Sequence, residues 1–422
     1  MNKLHYDILY LIFESLDFLS KIRFRSISKY TNLLEIHDFF NIEDKYLELL
    51  NDTILLNYPF ITHLDASYNP NITNVNHLKK LIKLDASGYD SGINDYGIKD
   101  LNLKILYISG NTKITNINHM EDSLMELHAC NNCIDDSGIN KLKNIQILNV
   151  LNNKNITNVN HMTNLTELDA SHHAGITDFG IKNLNGLKIL NVYNNGIITN
   201  INHMKELIEL KASGYLCAIG DSGIQNLHKL KILNANDNPK IININHMNKL
   251  TILHASYDSG INNEGIKNLN GITHLYVHKN SKIININHMK DLIELNASGY
   301  TCGICDSGII KLIKIKSLYA NDNPKIININ HMKNITKLYA SGENCGITDF
   351  GIQNLNEIKI LYANNNEKIT NINHMNKLIE LYASNNCGIS NQGIKKLINL
   401  KMLTACNNNK ITNIKNIILY YS

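Results

Sequence analysis

One dipeptide constrains this chain more than any composition figure. His-Met, or once His-Leu, recurs at His77, His119, His161, His203, His246, His288, His331 and His374, in steps of 42 or 43 residues. A fixed period of that size cannot bury its apolar side alone, so successive copies must stack into a solenoid. Each period divides into two related halves that open with L-x-x-L-x-small-x-x-N, as in Leu230-Leu233-Ala235-Asn238 and Ile315-Leu318-Ala320-Asn323. Seventeen such openings run from Ile61 to Leu400. Their apolar positions alternate with period two, so each predicts a short strand. The closing Asn can satisfy backbone groups where the chain turns.

Over residues 59–422 this pattern resembles the leucine-rich-repeat proteins. The resemblance implies an α/β solenoid of about 17 repeats, with a parallel sheet on the concave face and short helices or turns outside. The shorter half closes with sequences such as Lys368–Met375, where Ile369, Ile372 and Met375 suit a tight helical or 3₁₀ turn. The longer half closes with segments such as Gly346–Leu355 and resembles the cysteine-containing repeat class of F-box proteins. In that half Asp95, Asp136, Asp178, Asp221, Asn263, Asp306, Asp349 and Asn391 are expected to be helix N-caps. The isolated glycines two residues later, from Gly97 to Gly393, are expected to let successive turns pack closely.

Residues 1–42 stand outside the repeat. Ile8, Leu9, Ile12, Phe13 and Leu16 form one helical stripe, followed by Leu19, Ile22 and Ile27. Leu4, Asp7-Ile8-Leu9, Ile12-Phe13, Ser15-Leu16-Asp17 and Ile27-Ser28-Lys29-Tyr30 resemble the F-box in order, with His5 in place of its Pro and Tyr30 in place of its Trp. The resemblance implies a three-helix domain over 1–42, bridged by an amphipathic segment and N-terminal cap over 43–58. It further implies a substrate-recognition subunit of a Skp1–cullin–F-box ubiquitin ligase, supplying proximity and no catalytic group. Leu4, Ile8, Leu9, Ile12, Phe13 and Leu16 would meet the Skp1-type adaptor, although some of them must pack the domain's own core. The repeats would hold an unknown target protein. The F-box-plus-repeat plan and the Asn/Ile/Lys-rich style also resemble proteins encoded by large DNA viruses of amoebae, which implies a host adaptor. Otherwise residues 1–58 are simply a helical cap on the first repeat, and the chain is an interaction scaffold without a ligase role. A third reading is self-assembly through the apolar end at Ile417–Tyr421.

A net charge of +4 over 422 residues argues against nucleic acid or membrane as partner. No apolar run reaches membrane-spanning length, no secretory signal is legible, and eight scattered cysteines suit a reducing, cytoplasmic compartment. The abundance of Asn, Ile and Lys reads as AT-rich coding.

The repeated histidines invite a metal reading, but on alternate strands they should lie about 10 Å apart, too far to share an ion. The pairs Cys130/Cys133 and Cys302/Cys305 are eight repeats apart and cannot form one site. Packing roles are expected for both sets, and no cofactor is expected. No phosphate loop, H-E-x-x-H or nucleophile elbow occurs, so the chain is not read as an enzyme. The outward strand positions are of more interest. Tyr319, Tyr339, Tyr362 and Tyr382 fall in one column in successive repeats, beside Glu294 and Glu380. They are expected to bind a target on the concave face, or else to stack on one another as a ladder.

Overall fold

The computed structural model describes residues 6–28, 30–31, 34–40, 42–412 and 418–419. Leu4 and His5 of the F-box-like pattern lie outside them. The chain divides into two compact units between Leu187 and Lys188.

The first unit opens with helices α1 (Tyr6–Glu14) and α2 (Phe18–Arg25). Asp17 caps α2, its carboxylate accepting the Ser20 N–H at 2.9 Å and the Ser20 hydroxyl at 2.8 Å. Beyond α2 the next α-helix among the described residues does not begin until Asp44, and Thr31 lies in 3₁₀ conformation. Instead the chain extends, and Asp38–Phe39 pairs in parallel with His63–Leu64 of the first repeat. Buried Phe39 meets the Phe18 and Tyr58 rings, each at 5.0 Å. Two one-turn helices, α3 (Asp44–Leu47) and α4 (Asp52–Leu55), complete the cover. An end strand left bare would expose unpaired backbone groups and the apolar core, which these elements prevent.

From there the unit is a stack of three-residue strands, His63–Asp65, Lys83–Asp85, Ile105–Tyr107, Glu126–His128, Ile147–Asn149 and Glu167–Asp169, each parallel to the next. The second unit repeats the plan from Ile189–Asn191 to Met402–Thr404, with a last strand at Ile418–Leu419. Among the described residues seventeen three-residue strands match the seventeen sequence openings. The fold is an α/β leucine-rich-repeat solenoid. The residues at 413–417 and 420–422, on which the self-assembly reading partly rests, fall outside the described set.

The sequence dictates this stack at four places. In nearly every three-residue strand the middle Leu and the residue two beyond it, usually Ala, are buried, while the flanking side chains are at least partly exposed. The third residue after each three-residue strand takes positive φ, either a glycine such as Gly299 or Gly342 or, more often, Asn, Asp, Tyr, His or Lys. Asparagine next closes the short half: fully buried Asn323 donates Nδ2 to Ala297 O at 2.7 Å and Ile304 O at 3.2 Å, and accepts the Lys325 N–H at 2.8 Å. In the long half a cysteine reaches the same kind of strand-end carbonyl, Cys302 to Val277 O at 3.6 Å and Cys345 to Ala320 O at 3.5 Å. Asn323, Cys302 and Cys345 thus satisfy neighbouring members of one row of buried carbonyls, as a buried backbone group requires.

The fourth device differs from expectation. Asp95, Asp136 and Asp349 do not cap their own helices, which begin at these residues. The preceding residue occupies the cap, with side-chain acceptance by Asn94, Asp135, Thr177 and Asn262. The carboxylate one place later is then free to reach the following repeat. Asp349 accepts the Thr370 and Asn371 N–H groups at 2.7 and 3.1 Å, and Asn263 does the same for Ile284 and Asn285 at 2.9 and 3.2 Å. The outer Asn residues act similarly, as when Asn287 Nδ2 donates to Ser307 O at 2.7 Å and its Oδ1 accepts the Lys311 N–H at 2.8 Å. The Asn content is therefore structural, since each repeat uses these amides to hold its successor.

Candidate functional site

The repeated histidines serve the same stacking. His119, His161, His288, His331 and His374 each point Nε2 at a helix-end carbonyl of the preceding repeat, at 3.0 Å. Burial lowers the His246 and His331 imidazoles from their ordinary value. No group of three or more His, Cys, Asp or Glu among the described residues could hold a metal ion.

The cysteines are free thiols. Burial pushes Cys302 and Cys345 up to about 11, whereas the Ser307 hydroxyl beside half-buried Cys305 lowers its thiol. Thiolate is the reactive form. Titration with an aromatic disulfide reagent at pH 8 is therefore expected to label exposed Cys133 and half-buried Cys305 quickly, and buried Cys217, Cys302, Cys345 and Cys387 only after denaturation. Rapid reaction of all eight in the native protein would contradict the packing assigned to them.

Two surfaces remain. The first is α1, and the structure divides the apolar residues that the sequence could not. Phe13 is sealed inside, its ring 6.3 Å from Phe24, and serves the fold. Leu9 and Leu16 are half-buried. Ile8 and Ile12 are 49% and 39% exposed, and Leu11, which the F-box pattern did not single out, is 68% exposed. Ile27 and Tyr30 are exposed as well. Three large apolar side chains on little more than one helical turn are costly to leave in water.

The second is the exposed sheet face of the second unit. Tyr319, Tyr339, Tyr362 and Tyr382 are register partners on adjacent strands. Their rings stack at 4.1, 4.4 and 3.9 Å with interplanar angles of 11°, 13° and 4°. The ladder thus forms within the chain, and what it offers outward is ring edges and hydroxyls. Burial, with the Tyr382 hydroxyl next to it, pushes Tyr362 up to about 12. Glu294 and Glu380 stand at the first outward position of their strands, and Glu294 accepts the Tyr276 phenol at 2.8 Å. The column extends further than the four successive tyrosines suggested. His254 stacks on Tyr276 at 4.4 Å, and in the first unit His128 stacks on Tyr107 at 4.4 Å. Reading that one position through all repeats would have found these rungs. A depression of about 750 Å³ on this face lies among His254, Tyr276, Asn296, Tyr300 and Tyr319.

No protein-family model and no curated protein matches the chain. Solved structures do. A leucine-rich-repeat protein of Leptospira interrogans is similar over 83% of this chain and 98% of its own, with TM-score 0.61 and 21% identity. TLR13, solved in complex with ssRNA13, is similar over 83% of this chain and 61% of its own, with TM-score 0.51 and 19% identity. At such identities the likeness concerns the fold, and it agrees with the strand-by-strand architecture above. Among the described residues no helix is long and apolar enough to cross a membrane.

Proposed function

We propose that this chain is a non-catalytic recognition subunit. Its sheet face holds a target protein, and the exposed stripe of α1 docks on a Skp1-type adaptor of a cullin–RING ubiquitin ligase. In the viral setting that the sequence style resembles, the adaptor belongs to the host. The observation that carries the adaptor half is the exposure of Ile8, Leu11 and Ile12 while Phe13 is buried. A helix serving only as a cap has no physical reason to keep that stripe in water. Support for the target half comes from the uncharged aromatic column, since half-buried tyrosines gain area on binding at low entropic cost.

The test is capture of the full chain by a purified Skp1–cullin pair. The double substitution Ile8→Asp and Ile12→Asp is expected to cost at least about 2 kcal/mol, roughly thirtyfold in affinity, because two carboxylates would enter an apolar contact. Both positions are exposed, so the variant should unfold at the parent temperature. Equal capture of parent and variant, or no capture of the parent, would leave α1 as a cap and the chain as an interaction scaffold.

A further inference from the structure

From His254 to Tyr382 the outward column is aromatic at every rung but one. His254 covers one face of Tyr276, with the rings 10° from parallel, and Tyr339 covers one face of Tyr319. Between them the strand Glu294–Asn296 carries Asn296. Its side chain does not fill the rung, because Oδ1 folds back to accept the Ser298 N–H at 3.1 Å. The facing sides of Tyr276 and Tyr319 are therefore left two strand spacings apart, roughly 9 Å. Neighbouring rungs of this ladder stack at 3.9–4.4 Å, so the opening has the thickness of one planar group. The depression of about 750 Å³ lies over this missing rung.

The chain itself shows which chemistry suits it. In the first unit Tyr107 donates its hydroxyl to Glu126 at 3.0 Å, as Tyr276 does to Glu294 at 2.8 Å. There the next rung is present: His128 stacks on Tyr107, and its Nε2 lies 2.9 Å from the Glu126 carboxylate. Asn296 stands in the equivalent place beside Glu294 without a ring. What is missing is a planar group that presents N–H to a carboxylate.

We propose that the slot over Asn296 receives the guanidinium of an arginine side chain from a bound protein, stacked between Tyr276 and Tyr319 and donating to Glu294. A guanidinium is planar, stays charged at any working pH, and gains from both aromatic faces and from a carboxylate at its edge. Asp322 on the lining adds a second negative charge. Of the basic side chains nearby, burial lowers His254 and His278 toward the neutral form, and Lys279, which also lines the depression, lies over the Tyr257 ring, 6.0 Å from its centre. A nucleotide would bring its phosphate against Glu294 and Asp322. This proposal names the target chemistry for the sheet face and rests on that half of the functional reading.

Saturation-transfer NMR on the full chain with millimolar N-acetylarginine amide reads the weak contact of one such rung. Transfer at least fivefold above that to N-acetyllysine amide is expected. Asn296→Tyr, which completes the ladder, should reduce it to background with no loss of thermal stability. Glu294→Gln, which still accepts the Tyr276 hydroxyl, should reduce it at least threefold. Equal transfer to lysine, greater transfer to N-acetylphenylalanine amide or adenosine monophosphate, no transfer to arginine, or persistence in Asn296→Tyr would each overturn the assignment. Adaptor capture through α1 is read separately, so failure of either reading leaves the other's result standing.

Discussion

Replacing Gly308 by alanine is expected to destabilise the second unit by about 3 kcal/mol or more, a large loss for the smallest possible side chain. A Cβ at Gly308 would overlap the Ile284 carbonyl oxygen of the preceding repeat, with Asn285 Cα at 3.4 Å behind it. Neither side can retreat cheaply. The 284–285 backbone is held by Asn263, which accepts both N–H groups, and Gly308 O accepts the Ile286 N–H at 2.9 Å. Moving apart would weaken three hydrogen bonds, each worth about 0.5–1.5 kcal/mol, in addition to the packing. Every long half repeats the geometry, from Gly97 against Thr73 O to Gly393 against Thr370 O. Gly186 is the control, because a Cβ there meets nothing within 4 Å. Denaturant unfolding of the two alanine variants followed by circular dichroism decides it. A loss under about 1 kcal/mol for Gly308→Ala would mean that the repeats slide apart more easily than these bonds allow.

That glycine shows how much the sequence could say. Its spacing marked close approach of successive turns, because nothing but backbone contact explains one glycine per period beside good helix-forming neighbours. The strands were equally legible, since period-two alternation repeated seventeen times leaves no competing fold. Asp349 and its equivalents were not. An Asp before a short apolar segment reads as a cap, and only the structure shows Thr348 in the cap position and the carboxylate turned to the next repeat. That partner lies 21 residues away, beyond any local pattern. Division of the α1 stripe failed for a related reason. Helical spacing places Ile8, Ile12 and Phe13 together, but burial of Phe13 depends on Phe24 of the next helix. The open rung at Asn296 is not legible in sequence, because Asn also stands at this strand position at Asn149, Asn191 and Asn234, and Tyr276 on its far side lies between His254 and Asn296.

Asn323→Leu is expected to cost roughly 4 kcal/mol or more, although the two side chains share one branched heavy-atom skeleton. The loss is electrostatic. Asn323 is fully buried, and without its amide the carbonyls of Ala297 and Ile304 and the Lys325 N–H all lose their side-chain partner where water cannot replace it. Asn323→Asp separates this cause from packing. A carboxylate keeps the acceptor for Lys325 but turns its second oxygen toward two carbonyl oxygens, so at pH 7.5 the aspartate variant should be less stable than the leucine variant. Protonation restores one donor. The buried carboxyl should therefore titrate above the ordinary Asp value of about 3.9, with more protons bound in the folded state than in the unfolded one. Stability of Asn323→Asp should then rise relative to Asn323→Leu as pH falls from 7.5 toward 5, the reverse of what loss of a surface ion pair produces. Unfolding of both variants at the two pH values reads the sign directly. Equal and pH-independent losses would show that volume, and not the hydrogen-bonded row of amides, holds the repeats in register.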